Sequence, residues 1–375
     1  MNRQIISAFK VRSRWSYWMI TLACSCFLAA ACLPCAGADV KQANWKAGVA
    51  STAITPEEPM WMAGYAARNK PSEGKIHDLY AKALVLEDEQ GTRVVIVTVD
   101  LIGIPRPTRD WLEKEASKRY KIGPEALLLN SSHTHSGPVI RETRYSIYGN
   151  TLYGLTPEQI RQSDEYVESL QEKILQLIGQ AIDNLAPAKL GYTHARAGFA
   201  MNRRLPTETG FQNSPNPDGP VDHDVPVLRI DGDDGKLRAV LFGYACHSTT
   251  LSFYQFCGDY PGFAQQYIEE RHPEAAAMFI AGCGGDQNPY PRPKAEALEY
   301  CKQHARGLAN GVETALEARA RPVAGPIRAA LDTVTLDFAE PPGREQLEQQ
   351  AKSNDKYERR HAEVLLRELD ETGTI

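Results

Sequence analysis

The sequence predicts an α/β fold: a mixed β-sheet core flanked by helices, with a charged C-terminal helix. Short apolar runs alternate with amphipathic segments along most of the chain, the pattern of strands interleaved with helices. Two of these runs, residues 81–88 and 93–100, flank the glycine-containing turn "EQGT" and predict a hairpin. The hairpin and consecutive strand-like runs between residues 188 and 246 argue for a mixed rather than a purely parallel sheet.

Each element follows in order. Residues 1–38 read as an export signal: Arg3, Lys10, Arg12 and Arg14 form a basic leader, an apolar run reaches Pro34, and "AGA" fits cleavage after Ala38. This predicts a secreted or periplasmic mature protein. The run is also about as long as a membrane-spanning helix needs, but its small-residue exit and the absence of a basic cluster after it favour a cleaved signal. Residues 39–340 are predicted to form the α/β domain. Within them, residues 107–120 read as a helix and 126–130 as a buried strand. Val167, Leu170, Ile174, Ile178, Ala181 and Leu185 recur every three or four residues, predicting one long helix entered at Pro157 and left before Pro187. Strands at 190–197, 225–231 and 237–246 follow, with an irregular loop over 205–222. Helices are predicted at 262–271 and 294–320, around the apolar run 276–282. After Pro341-Pro342-Gly343, residues 341–375 form a charged helical segment, read as a solvated arm.

Composition narrows the function classes. The 375-residue chain is 42% hydrophobic, with a formal charge of −5 and a sequence pI near 6.0, and it has no basic cluster beyond short pairs such as Arg203-Arg204. Nucleic acid is therefore not an expected partner, and no protein partner is identifiable. Four of the eight cysteines lie in the leader; Cys246, Cys257, Cys283 and Cys301 remain, and burial or a structural role is expected of them rather than nucleophilic chemistry.

The chemistry gathers at strand ends. The apolar strand "ALLLN" runs into "SSHTHSGP", which carries His133 and His135 at the edge where α/β folds collect ligand groups. Two histidines at i and i+2 on extended backbone point the same way, so one can bind a metal while the other lies beside it. "LRAVLFGYACHSTT" delivers His247 in the same manner. "AAMFIAGCGGDQNPY" ends a third strand in glycines, followed by Asp286, Gln287 and Asn288; Gly285 and its neighbours allow close backbone approach and offer N–H groups for an oxyanion. Asp100 and Asp259 are candidates to orient the imidazoles, with turn or cap roles equally open. His77 and His223 read as ambiguous or structural, and the sequon at Asn130 falls inside the expected site. No G-x-S-x-G elbow and no H-E-x-x-H helix occurs, which removes the α/β-hydrolase and zincin readings.

Taken in order, "NSSHTHSGP", "MNRR", "FGYACHSTT" and "GCGGDQNP" resemble the neutral/alkaline non-lysosomal ceramidase family, and "AGVASTAITP" is similar to its opening strand. The resemblance spans residues 44–290. It implies a zinc-dependent amidase that splits the N-acyl bond of ceramide, or a related amide, by metal-activated water. It implies zinc ligation by His133 and His247, an acid/base role for His135, and carboxylate contact by Arg203. A lipid or N-acyl amide substrate follows, with peripheral membrane contact compatible with it. Two departures stand out. Asn288 occupies the position of a family serine, and the chain stops short of a family C-terminal immunoglobulin-like domain and of a Glu and a Tyr that complete the family zinc site. These departures keep an alternative in view, an exported binding protein that retains the pocket without turnover.

Overall fold

The computed structural model describes residues 44–140, 155–337 and 339–375; the predicted export signal lies outside them. The elements are β1 (Trp45–Ala53), β2 (Tyr80–Glu87), β3 (Arg93–Val99), α1 (Arg106–Tyr120), β4 (Leu127–Ser131), α2 (Pro157–Asp183), β5 (Ala186–Arg196), β6 (Ala200–Asn202), β7 (Arg204–Thr207), β8 (Gly210–Asn213), β9 (Asp224–Gly232), β10 (Leu237–Tyr244), α3 (Asp259–Arg271), β11 (Ala276–Ala281), β12 (Gln287–Pro289), α4 (Ala297–Glu317), β13 (Arg321–Pro322), α5 (Arg344–Gln350) and α6 (Lys356–Thr372). Among the described residues no helix is long and apolar enough to cross a membrane.

The main sheet has nine strands in the order β11-β10-β9-β5-β1-β2-β3-β4, with β13 paired to β5. It is mixed, as predicted: β3 with β4 and β10 with β11 are parallel, while the 81–100 hairpin appears as antiparallel β2 and β3. Alternation along each strand sorts its side chains to two faces. On β2, Ala81, Ala83 and Val85 join a core with Ile174 and Ile178 of α2, whereas Leu84 and Leu86 face the other way. On β10, Val240 and Phe242 pack with Leu308 and Val312 of α4, while Leu241 shares the cluster of Leu84. One apolar cluster therefore holds residues from β2, β10 and β11 (Met278), strands far apart in the sheet order. The sheet must curl over on itself, burying one face internally and covering the other with two helical layers. Its end strands meet: the Asn130 side chain on β4 donates to Ala281 O on β11 at 3.2 Å and accepts from Ala281 N at 2.9 Å.

Local sequence explains the longest helix. Thr156 and Gln159 form a reciprocal capping box on either side of Pro157, satisfying two backbone donors at the helix start. The helix then runs close over β1. A Cβ at Gly48 would lie 2.0 Å from Ala181 O, so only glycine permits this approach.

Two regions differ from expectation. The segment 205–222 is not wholly irregular: β7 and β8 pair as a hairpin whose second strand opens at Gly210 (φ +142°), and just before the segment β6 pairs with β12. These strands are three or four residues long, and β7 and β8 are largely exposed, so no apolar alternation marks them. The charged C-terminal segment is two helices rather than one. Asp355 accepts from Tyr357 N and Glu358 N as the cap of the second, and Leu347, Ala362 and Leu365 pack the pair together. The four cysteines of the described chain are free thiols, three of them buried.

Candidate metal centre

Parallel pairing places the C-terminal ends of β3, β4, β10 and β11 on one edge, and the curled sheet brings the two pairs together there. His133 and His135 follow β4, and His247 follows β10. Their three candidate ligand nitrogens all lie within 4.8 Å of one another. The imidazole centroids of His133 and His247 are 4.8 Å apart.

Backbone carbonyls set the tautomers. His133 Nδ1 lies 2.7 Å from Ile102 O, and His247 Nδ1 lies 2.7 Å from Gly284 O. A carbonyl oxygen only accepts, so both Nδ1 atoms carry the proton, and in the neutral ring that leaves Nε2 as the atom with the lone pair. His135 Nε2 stands 3.4 Å from His133 Nε2, and Gly64 packs against the His135 ring. Gly64 (φ +97°) cannot be larger, since a Cβ would fall 2.5 Å from that ring. Burial, then the neighbouring His133, His247 and Arg68, depress the pKa of His135 to about 3. Burial foremost brings His247 to about 4. Both are neutral donors at pH 7. His133 itself adopts a left-handed backbone (φ 58°), a costly conformation for a residue with a Cβ.

The loops are stitched to each other as well as to the sheet. Ser248 Oγ donates to Ser132 O at 2.6 Å, and His135 N donates to Ser248 O at 3.2 Å. Thr134 Oγ1 donates to Cys257 O at 2.7 Å, and Cys257 N donates to Ser136 O at 3.1 Å. Ser248, Thr134 and Ser136 are fully buried.

The remaining predicted residues fall around this cluster. Asp100 and Asp259 are buried, but they hold main chain rather than imidazole: Asp100 Oδ2 accepts from Tyr80 N at 3.0 Å, and Asp259 accepts from Leu251 N at 2.9 Å and Tyr260 N at 2.7 Å. Of the two readings the sequence left open for them, the backbone-holding one is what the geometry displays, because carbonyls already occupy the Nδ1 positions of His133 and His247. The glycine loop also acts mainly through its carbonyls. Gly284 O holds His247, Gly285 O accepts from Arg203 Nε at 3.0 Å, and Arg203 N donates to Asp286 O at 2.8 Å. A Cβ at Gly284 would fall 2.6 Å from Cys246 N, which explains the glycine. Asn288 is buried on β12, its Oδ1 accepting from Thr249 Oγ1 at 3.2 Å. Asn130, whose amide bridges the sheet ends, is engaged internally, and His223 Nε2 contacts Ala200 O at 2.9 Å. His77 packs on Phe263 and is not one of the three clustered histidines.

Three residues that the strand-end pattern missed also build the site. Arg68, buried, donates to His135 O at 2.8 Å, to Phe253 O at 2.9 Å and to Ala63 O, tying three loops together. The Tyr65 ring lies 5.0 Å from the His135 ring, and burial raises its hydroxyl pKa to about 12. Arg292 Nη1 donates to Thr249 O at 3.2 Å. "GYAAR" and "NPYPRP" sit in loops without periodicity, so only the spatial neighbourhood exposes them.

Comparison with known proteins bears on this arrangement. The sequence model described as "Neutral/alkaline non-lysosomal ceramidase, N-terminal" matches residues 45–331. Neutral ceramidase A of Dictyostelium discoideum is 26% identical over 253 residues, covering 62% of this chain and 34% of that protein. Neutral ceramidase 1 of Arabidopsis thaliana is 25% identical over 241 residues, covering 61% of this chain and 30% of that protein. The chain thus spans about a third of the length of these relatives. The crystal structure of neutral ceramidase from Pseudomonas aeruginosa shares the fold, with a TM-score of 0.64 at 20% identity over 76% of this chain and 46% of that one.

Proposed function

Because this chain belongs to the neutral/alkaline non-lysosomal ceramidase family, we propose that it is an exported, zinc-dependent hydrolase of an N-acyl amide bond, that of ceramide or a related amide. The observation that carries the reading is the convergence of ring nitrogens of His133, His135 and His247 from two loops, all within 4.8 Å of one another. The donor set suits the ion. Neutral imidazoles with fixed tautomers are zinc ligands, and two nitrogens on a tetrahedral zinc, each about 2.0–2.1 Å from it, stand about 3.3 Å apart. The His133–His135 separation of 3.4 Å matches that spacing. His133 and His247 would hold the ion, and we assign His135 as a third donor in place of the proton-transfer role implied by resemblance.

Zinc held by these histidines would supply Lewis acidity toward an amide carbonyl and would lower the pKa of water toward neutrality. The chain does the rest. The carbonyls of Ile102 and Gly284 keep two rings oriented, and Arg68 anchors the His135 backbone. The Arg203 guanidinium, held at its Nε by Gly285 O, leaves its outer nitrogens to bind a carboxylate in the forked geometry that guanidinium favours. Residues 1–38 we assign as the cleaved export signal. The test is fatty-acid release from N-acyl sphingosine by the purified chain with zinc, compared with His133→Ala. Release that is lost in the variant together with zinc supports the assignment; release unchanged in a zinc-free variant contradicts it. Asn288 at the family serine position favours a second reading, a binding protein without turnover. One zinc bound with no cleavage of any amide would establish that instead.

A further inference from the structure

The strongest unassigned feature is a cluster of guanidinium groups beside the histidines. A small cleft is lined by Asn202, Arg203, Ser214, Asn288, Tyr290 and Arg292. Arg203 enters it from the turn between β6 and β7, while Arg292 enters from the loop after β12 and is steadied by Thr249 O at 3.2 Å and Thr249 Oγ1 at 3.3 Å. Thr249 in turn donates to Asn288 Oδ1, so Asn288, Thr249 and Arg292 form one hydrogen-bonded row two residues beyond His247. Arg204 adds a third positive group, its Nη2 sharing Gly285 O with Arg203.

From this geometry we propose that Arg203 and Arg292 form a two-guanidinium site for a carboxylate that the substrate itself carries, so that the preferred substrate is an anionic N-acyl amide rather than neutral ceramide. This inference rests on the amide-hydrolase reading and narrows its substrate class. Three observations support it. First, like charges bear on Arg203 more than the nearby acid does: after burial, Arg204 and Arg292 are the largest influences lowering its pKa, and Asp286 opposes them less strongly. A cation destabilised by cations is a favourable neighbour for an anion. Second, the hydrogen bonds Arg203 and Arg292 make in this cleft go to carbonyl and hydroxyl oxygens, which do not neutralise their charge. Third, none of the three histidines is among the residues lining the cleft. The carboxylate released by hydrolysis forms at the scissile carbon, against the histidine cluster, and we assign the anion seated in the cleft as a separate charge on the substrate. The amide of Asn288, with both donor and acceptor atoms, suits recognition of such a polar group better than attack on a carbonyl.

The experiment measures binding and cleavage of three amides by the zinc-loaded chain: N-octanoylglycine, with its carboxylate on the amine side; the monoethanolamide of suberic acid, with its carboxylate on the acyl side; and N-octanoylethanolamine, which is neutral. We expect at least one anionic amide to bind about tenfold more tightly than the neutral one, the scale of a charge-assisted bidentate contact. Whichever it is assigns the side of the carboxylate. Arg292→Met should bring the ratio near one, while Arg292→Lys, which keeps the charge, should retain most of it. A purely structural Arg292 would weaken all three ligands alike and leave the ratio unchanged, which overturns the proposal, as does a ratio near one in the unsubstituted chain. Because binding is read apart from turnover, a charge preference with no cleavage would remove the hydrolase reading and leave the anion site standing.

Discussion

Ser248→Ala tests whether the histidine loops depend on each other. The Ser248 side chain has 0% exposure; its hydroxyl donates to Ser132 O at 2.6 Å, and its own carbonyl accepts from His135 N at 3.2 Å. Removing the hydroxyl strips a buried carbonyl of this donor, a cost of about 1–3 kcal/mol. For a domain of this size that corresponds to a fall of roughly 1–5 °C in Tm. Ser132 immediately precedes His133, and Ser248 immediately follows His247, so the lost bond also loosens the spacing between ligand nitrogens. Partners that orient a metal's ligands typically contribute about 10–100-fold in metal affinity, and a loss in that range is expected. The assay is competition for zinc against a chromophoric chelator, with thermal melts run with and without the ion. A variant whose Tm falls as stated while its zinc affinity stays unchanged would refute the claim that this bond couples the two halves of the site.

Further expectations concern other parts of the chain. His247→Ala should lose stoichiometric zinc by elemental analysis, whereas His194→Ala, exposed on β5 and paired with Asp224, should keep it. Asn288→Ser, which restores the family residue beside Thr249, should raise fatty-acid release from N-acyl sphingosine about tenfold or more, within the range of a well-placed polar catalytic group; unchanged release would show that Asn288 does not limit that reaction. Zinc at about a thousand times its Kd should stabilise the folded chain by about 4 kcal/mol, read as a rise in Tm that a chelator reverses. Asp355→Ala removes a helix cap worth about 1 kcal/mol; amide exchange should speed up in Lys356–Thr372 with zinc affinity untouched, since that helix packs with Leu347 rather than with the site.

Much of the site was legible because its chemistry follows strand periodicity. Apolar runs ending in "HTH", "CH" and "GCGG" identify themselves as strands delivering polar groups to one edge, and the structure brings His133, His135 and His247 together there. The β2–β3 hairpin and the long helix were legible for the same reason, since a turn glycine and a repeat of three to four residues are local signals. What was hidden is non-local. The curl that joins β4 to β11 depends on an apolar cluster shared by Leu84, Leu241 and Met278, residues that a linear reading has no reason to group. Arg68 and Tyr65 act across about 70 residues of chain through backbone carbonyls and ring contact, which leave no spacing pattern. The β7–β8 hairpin escaped notice because its exposed residues lack alternation, and the break in the C-terminal helices because Asp355 lies among many other charged residues.

The most direct test is zinc K-edge absorption on the purified chain, alongside His133→Ala and His247→Ala. The account predicts one zinc per chain with about three imidazole nitrogens at 2.0–2.1 Å, and no ordered zinc in either variant. A zinc shell lacking imidazole, or one that survives both substitutions, would contradict it.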